Sequence, residues 1–168
     1  LNINVEIDLE DVLSGKDFTA EVSVPGGNSK VINIQIPPGI ESGQQIRYEG
    51  MGDSSIPNIR PGDLIVNVVV RPHRNYKREG TSLVLEKEIS VWDAMVGTTL
   101  DITTLDNKLL TITVPAGTQP ETVLSCKGEG LPNMRSRVRG NLLIKLKVSI
   151  PRNLTQTQID QIKQLRGN

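Results

Sequence analysis

Two halves of this chain carry the same string of motifs. Ile34-Gln35-Ile36-Pro37-Pro38-Gly39 followed by Gly50-Met51-Gly52 recurs as Ile112-Thr113-Val114-Pro115-Ala116-Gly117 followed by Gly128-Glu129-Gly130. Pro37 and Pro115, Gly39 and Gly117, Gly50 and Gly128, and Gly62 and Gly140 each stand 78 residues apart, so the register runs without a gap. Upstream, Asp8-Leu9-Glu10-Asp11-Val12-Leu13-Ser14-Gly15 parallels Ser90-Val91-Trp92-Asp93-Ala94-Met95-Val96-Gly97 at a spacing of 82. The second copy is therefore a few residues shorter in a hairpin, where deletions are tolerated. Units this long exceed solenoid repeats and predict two small related domains, residues 1–79 and 80–152, followed by a terminal element over 153–168.

Each unit is small enough that burying its own core is marginal, which predicts a shared junction or a partner chain. The net charge is zero, so no global field draws the protein to nucleic acid or to an anionic membrane. No apolar run reaches membrane-spanning length and no signal-like segment opens the chain, as expected of a soluble protein. Cys126 is the only cysteine and His73 the only histidine, which excludes a disulfide framework, a Cys/His zinc site and any triad needing two such residues. One thiol is compatible with a reducing cytoplasm, the expected location. Cys126 reads as an inert buried thiol, and His73, inside the basic run Arg71-Pro72-His73-Arg74-Asn75-Tyr76-Lys77-Arg78, as a solvated side chain.

Ile, Val, Thr and Leu dominate while alanine is scarce, a bias toward strands. Period-two alternation supports it: Ile3, Val5, Ile7 and Leu9 alternate with Asn2, Asn4, Glu6 and Asp8, and Leu142, Ile144, Leu146 and Val148 with Leu143, Lys145 and Lys147. Pro25-Gly26-Gly27-Asn28 and Asp106-Asn107 suit hairpin turns, and Arg60-Pro61-Gly62-Asp63 and Arg139-Gly140-Asn141 lead into the last long strand of each unit. The predicted fold is all-β, two tandem small sandwiches of antiparallel strands with a short C-terminal helix. Only that tail reads as helical. Thr155 and Gln158 form a capping box, Leu154 is placed to staple onto Ile159, and Ile159, Ile162 and Leu165 make a narrow apolar stripe that must bury against the body or a second copy.

No residue pattern indicates catalysis or a cofactor. Asp11 with Asp93, or Glu6 with Asp8, read as solvated charge, and the Gly-x-Gly pairs lack the helix and remaining glycine of a dinucleotide fingerprint. One Trp, two Tyr and one Phe are too few for a base-stacking platform. Nucleic-acid binding through Arg71–Arg78 and Arg135–Arg139 would need a strong salt dependence that a neutral chain does not suggest. Binding of another protein, or a structural tandem sandwich whose apolar faces are all internal, remain as alternatives.

The paired motifs Ile36-Pro37-Pro38-Gly39 with Gly50-Met51-Gly52 and Val114-Pro115-Ala116-Gly117 with Gly128-Glu129-Gly130-Leu131-Pro132 occur with Gly62-Asp63-Leu64, Gly140-Asn141-Leu142, Asp93-Ala94-Met95-Val96-Gly97 and a terminal Leu154-Thr155. In order and over essentially the whole chain, they resemble the C-terminal substrate-binding region of DnaJ-type (J-domain) co-chaperones. The resemblance implies a module that holds unfolded client polypeptide for a DnaK-type, seventy-kilodalton heat-shock chaperone and forms a homodimer through Leu154, Ile159, Ile162 and Leu165. His73 is followed by Arg74, so the His-Pro-Asp motif of a J-domain is missing from this sequence, which is expected to be a fragment. Zinc-binding relatives carry Cys-x-x-Cys repeats where this chain has Pro25-Gly26-Gly27-Asn28, so it resembles the zinc-free class and no metal is expected. The resemblance also places a client groove on the first unit, lined by Ile3, Val5, Phe18, Ala20, Val22 and Val66. Alternation alone favours reading these residues as core. Ala20 is small where the family often carries a large apolar residue. Lys16 and Arg71 stand at or near basic positions that in some relatives bind the partner chaperone's acidic tail.

Overall fold

The structure is a computed structural model describing residues 1–24 and 29–167. The first unit runs β1 (Asn2–Ile7), α1 (Leu9–Ser14), β2 (Lys16–Val22), β3 (Lys30–Ile36), β4 (Gln45–Tyr48) and β5 (Leu64–Val70). The second runs β6 (Tyr76–Glu79), β7 (Ser82–Ser90), α2 (Val91–Val96), β8 (Thr98–Thr103), β9 (Leu109–Val114), β10 (Val123–Cys126) and β11 (Leu142–Ser149), and α3 (Gln156–Arg166) closes the chain. Each unit combines a larger sheet, β1-β5-β4 or β10-β11-β7-β6, with a two-stranded ribbon, β2-β3 or β8-β9. The all-β expectation holds.

Pairing registers repeat as faithfully as the sequence. Ile3 faces Val66 as Leu85 faces Ile144, Ala20 faces Ile32 as Ile102 faces Leu110, and Ile46 faces Val66 as Leu124 faces Ile144. Alternation puts Ile7, Ile34, Val66 and Val68 of one unit and Leu83, Ile102, Ile144 and Leu146 of the other into one connected core. The small units thus share the burial that neither could supply alone.

The structure departs from the sequence expectations in several places. β1 pairs with β5, and β7 with β11, in parallel rather than antiparallel fashion. Side-chain alternation is the same for both ladder types, and a parallel pair needs only a long crossover, here the whole unit. The tail is not the only helical segment: those ending in Gly15 and Gly97 are six-residue helices. Ser90 Oγ accepts from Asp93 N–H at 3.1 Å and Asp8 N–H donates to the Asp11 carboxylate at 3.0 Å. Gly15 and Gly97 take φ of 77° and 86°, with their N–H groups closing each helix on the Asp11 and Asp93 carbonyls. Six residues are too few to register a 3.6-residue period. Finally, β6 pairs with β7, so the expected division at Gly80 cuts a hairpin and the passage between sheets lies at residues 71–75. The expected Pro25–Asn28 turn lies outside the described residues, whereas Asn107, at φ 61°, does turn β8 into β9.

The junction is fixed by backbone contacts. The Arg78 guanidinium donates to the carbonyls of Ile40 and Gly39, the latter at 3.1 Å, while Gly39 packs so closely on the Pro132–Met134 backbone that no side chain fits there. At the far end, Thr155 and Gln158 make the expected capping box, with bonds of 2.9 and 3.2 Å.

Candidate functional site

β1 lies at the edge of its sheet and β2 at the edge of its ribbon, and each has one unpaired side among the described residues. Leu1 and Ile7 accept from Ile65 and Arg71 of the β5 side, so the odd residues of β1 bond inward. The N–H and C=O groups of Asn2, Asn4 and Glu6 therefore face the open edge.

The six expected groove residues divide. Ile3 and Val5 on β1 and Phe18 and Ala20 on β2 are half-buried, packed on the core yet reachable from outside. Val22 and Val66 are core, at 6% and 0% exposure, and do not line the surface. The reason is position: Val66 is on β5, the central strand between β1 and β4, so its side chain points into the core from the middle of the sheet, whereas Ile3 and Val5 stand on an edge strand.

Arg71 lies 3.4 Å from Glu6 and 3.6 Å from Asp8, and Lys16 lies 3.0 Å from Asp11. Burial pushes the Asp11 carboxyl up, but the Asp8 N–H, Lys16 and Arg71 outweigh it and hold the group below its usual range. The two expected basic residues thus meet around α1, each already beside carboxylates.

His73 is not the solvated side chain expected. Its Nδ1 accepts from Asn75 N–H at 3.0 Å and Tyr76 N–H at 3.2 Å, its Nε2 lies 3.0 Å from Glu10, and its ring tilts against Tyr76. With Nδ1 acting as acceptor, Nε2 carries the proton and donates to Glu10. The imidazole orders the passage from β5 into β6.

Tyr76 is the residue that sequence reasoning missed. It stands opposite Leu85 in the β6–β7 ladder, is 6% exposed, and donates its hydroxyl to the Thr103 carbonyl of β8. Burial and the Asp106 charge raise its phenol above the ordinary value, which keeps the hydroxyl a donor. β6 therefore lies between β7 and β8, bonded to one and anchored on the other. The available signal was Gly80-Thr81 just ahead of the apolar run that opens at Leu83, a two-residue turn position that fits a hairpin.

Cys126 is half-buried, and burial together with Glu129 raises its thiol pKa. Leu154, Ile159 and Ile162 are half-buried and Leu165 is 87% exposed, so the stripe of α3 is left largely uncovered by its own chain. No described helix is long and apolar enough to cross a membrane.

A family model described as the DnaJ C terminal domain matches residues 1–151. Chaperone protein DnaJ of Methanothermobacter thermautotrophicus is 37% identical over 136 residues, covering 81% of this chain and 36% of the relative. Chaperone protein DnaJ of Carboxydothermus hydrogenoformans is 40% identical over 130 residues, 77% of this chain and 34% of its own. The protein of the same name from Oceanobacillus iheyensis is 38% identical over 163 residues, 92% of this chain and 43% of its own. The chain thus spans between a third and a half of the length of these curated relatives.

Proposed function

The chain belongs to the DnaJ C-terminal domain family, and from that premise we propose that it is the client-holding module of a co-chaperone, taking up unfolded polypeptide for a DnaK-type partner. The observation that carries this reading is a difference between the repeats. β7 has its outer edge filled by β6, whereas the same edge of β1 is open among the described residues and bordered by Ile3, Val5, Phe18 and Ala20. An extended client segment adds a strand to that edge and places alternate side chains on the apolar strip. Each buried aliphatic side chain contributes about 1.5–3 kcal/mol before ordering costs, so a few anchors give roughly micromolar binding, weak enough for release.

The reading extends to assembly and partner. Two copies joined through the stripes of α3 bury surfaces that one chain leaves uncovered, and they turn two grooves toward one long client. The partner's acidic tail is drawn to Lys16 and Arg71, but it must compete there with Glu6, Asp8 and Asp11. Sedimentation at micromolar concentration, comparing the chain with one truncated after Pro151, tests assembly: a dimer that becomes monomeric supports it, and a monomer in both rejects it.

Client holding is tested by suppression of aggregation of a chemically denatured client. The chain suppresses it, and Val5→Asp, on the half-buried strip, suppresses it poorly while keeping the native circular dichroism spectrum. Equal suppression by the folded variant would reject the strip, and no suppression by the parent chain would leave a structural tandem module as the better reading.

A further inference from the structure

The second unit shows what fits between the two strands that border such a groove. Tyr76 sits opposite Leu85 on β7, shares a channel with Leu85 and Ile102, and hydrogen-bonds the Thr103 carbonyl on β8. Because the strand registers of the units coincide, Leu85, Ile102 and Thr103 correspond to Ile3, Ala20 and Glu21. Ile3 is half-buried as Leu85 is, but Ala20 replaces Ile102, which is 2% exposed beside the tyrosine. Val5 stands where the second unit has Lys87, which makes the first unit's strip the more apolar. The first unit therefore has the same frame with a smaller side chain at the floor and no residue of its own filling it among the described residues.

We propose that the segment held by the first unit is anchored by one aromatic side chain, tyrosine above all, seated over Ala20 beside Ile3 with its hydroxyl donating to the Glu21 carbonyl. This rests on the reading that the first unit captures extended polypeptide. Tyr76 is the template: a phenol buried between two strands satisfies its hydroxyl only if a main-chain acceptor lies at the ring's far end, and in the second unit β8 supplies it. Ala20 sets the size limit of the pocket. An aliphatic guest fills the space over Ala20 less well and leaves the Glu21 carbonyl to water.

The test uses fluorescently labelled peptides of alternating valine and threonine with one central guest position, titrated into the 168-residue chain and followed by anisotropy. The tyrosine guest binds about fivefold or more tighter than leucine and about threefold tighter than phenylalanine, the latter the worth of one modest hydrogen bond. Ala20→Phe fills the pocket, weakens the tyrosine guest most and the leucine guest less, and so removes the aromatic preference. Equal affinity for all guests would overturn the anchor and leave strand capture standing. Failure of every guest to bind would remove both.

Discussion

β1 and β7 keep the same register against β5 and β11, yet β7 carries β6 on its outer edge and β1 carries nothing there among the described residues. An open edge is a liability in a protein that needs no strand partner, because it templates association. The second unit removes that liability with four residues, Tyr76–Glu79, and secures them by burying Tyr76. In the first unit Asn2, Asn4 and Glu6 keep the outward face of β1 polar while Ile3 and Val5 stay half-buried along the opening. The same frame thus appears once closed by its own chain and once available. What separates the two frames is a single hairpin.

The comparison breaks most violently at the core. Val66→Asp places a carboxylate at a position with 0% exposure, and its cost, on the order of 4 kcal/mol or more, is expected to unfold the chain. Val5→Asp, on the half-buried strip, leaves a cooperative unfolding transition. Urea denaturation of both distinguishes a core residue from a lining one, and similar destabilisation by the two would contradict the division drawn between them.

Tyr76→Ala comes next. It removes the ring that holds β6 down, at a cost of about 3–5 kcal/mol by analogy with other buried aromatic truncations. Exchange of the Val84 and Glu86 amides, which face β6, then accelerates to rates like those of Asn2 and Asn4 on β1. Retention of their protection would mean that β6 stays in place without its anchor.

Gly39 and Gly117 are repeat partners with φ of 86° and 79°, so alanine is strained at both by about 1–2 kcal/mol. At Gly39 the added methyl also runs into the Pro132 carbonyl and comes within 2.9 Å of the Met134 nitrogen, whereas at Gly117 it meets nothing within 4 Å. Gly39→Ala is therefore expected to lower the thermal midpoint more than Gly117→Ala and to disturb the junction held by Arg78. Equal shifts would show that the junction yields freely.

The smallest effect concerns pH. The Thr104 hydroxyl, with Lys108 and Arg139 nearby, holds the Asp106 carboxyl below its ordinary value. A carboxyl whose folded pKa is depressed adds stability above the unfolded value of about 3.9 and loses it as pH falls through the folded value. Stability therefore declines below about pH 4, by a modest amount because the group is largely solvent-screened. Asp106→Asn flattens that decline, and urea titrations at pH 3 and pH 6 measure the difference.

Much of this was legible in the residues. Repeated Pro-x-Gly and Gly-x-Gly motifs located equivalent turns, alternation chose strands, and Thr155 with Gln158 marked the start of α3. Alternation could not separate Val66 from Val5, because both point inward and only the neighbour relations of their strands decide which is covered. Nor could it give the parallel sense of β1 and β5, which depends on chain return over the whole unit. β6 was obscured by its composition: Lys77, Arg78 and Glu79 give a strand of four residues a charged, loop-like appearance, and only pairing with β7 makes Tyr76 a core residue. His73 gives no such signal either: the Asn75 and Tyr76 N–H groups reach its ring through a local turn hidden in a basic run, and Glu10 comes to it only in the folded chain, 63 residues away in sequence.

The most direct test of the open groove is amide hydrogen exchange by NMR on the whole chain, with and without a saturating extended peptide carrying a central aromatic residue. The account predicts slower exchange at Asn2, Asn4 and Glu6 and along β2, with no change at Val84 and Glu86 beneath β6. A bound peptide that leaves the β1 and β2 amides unprotected would contradict it.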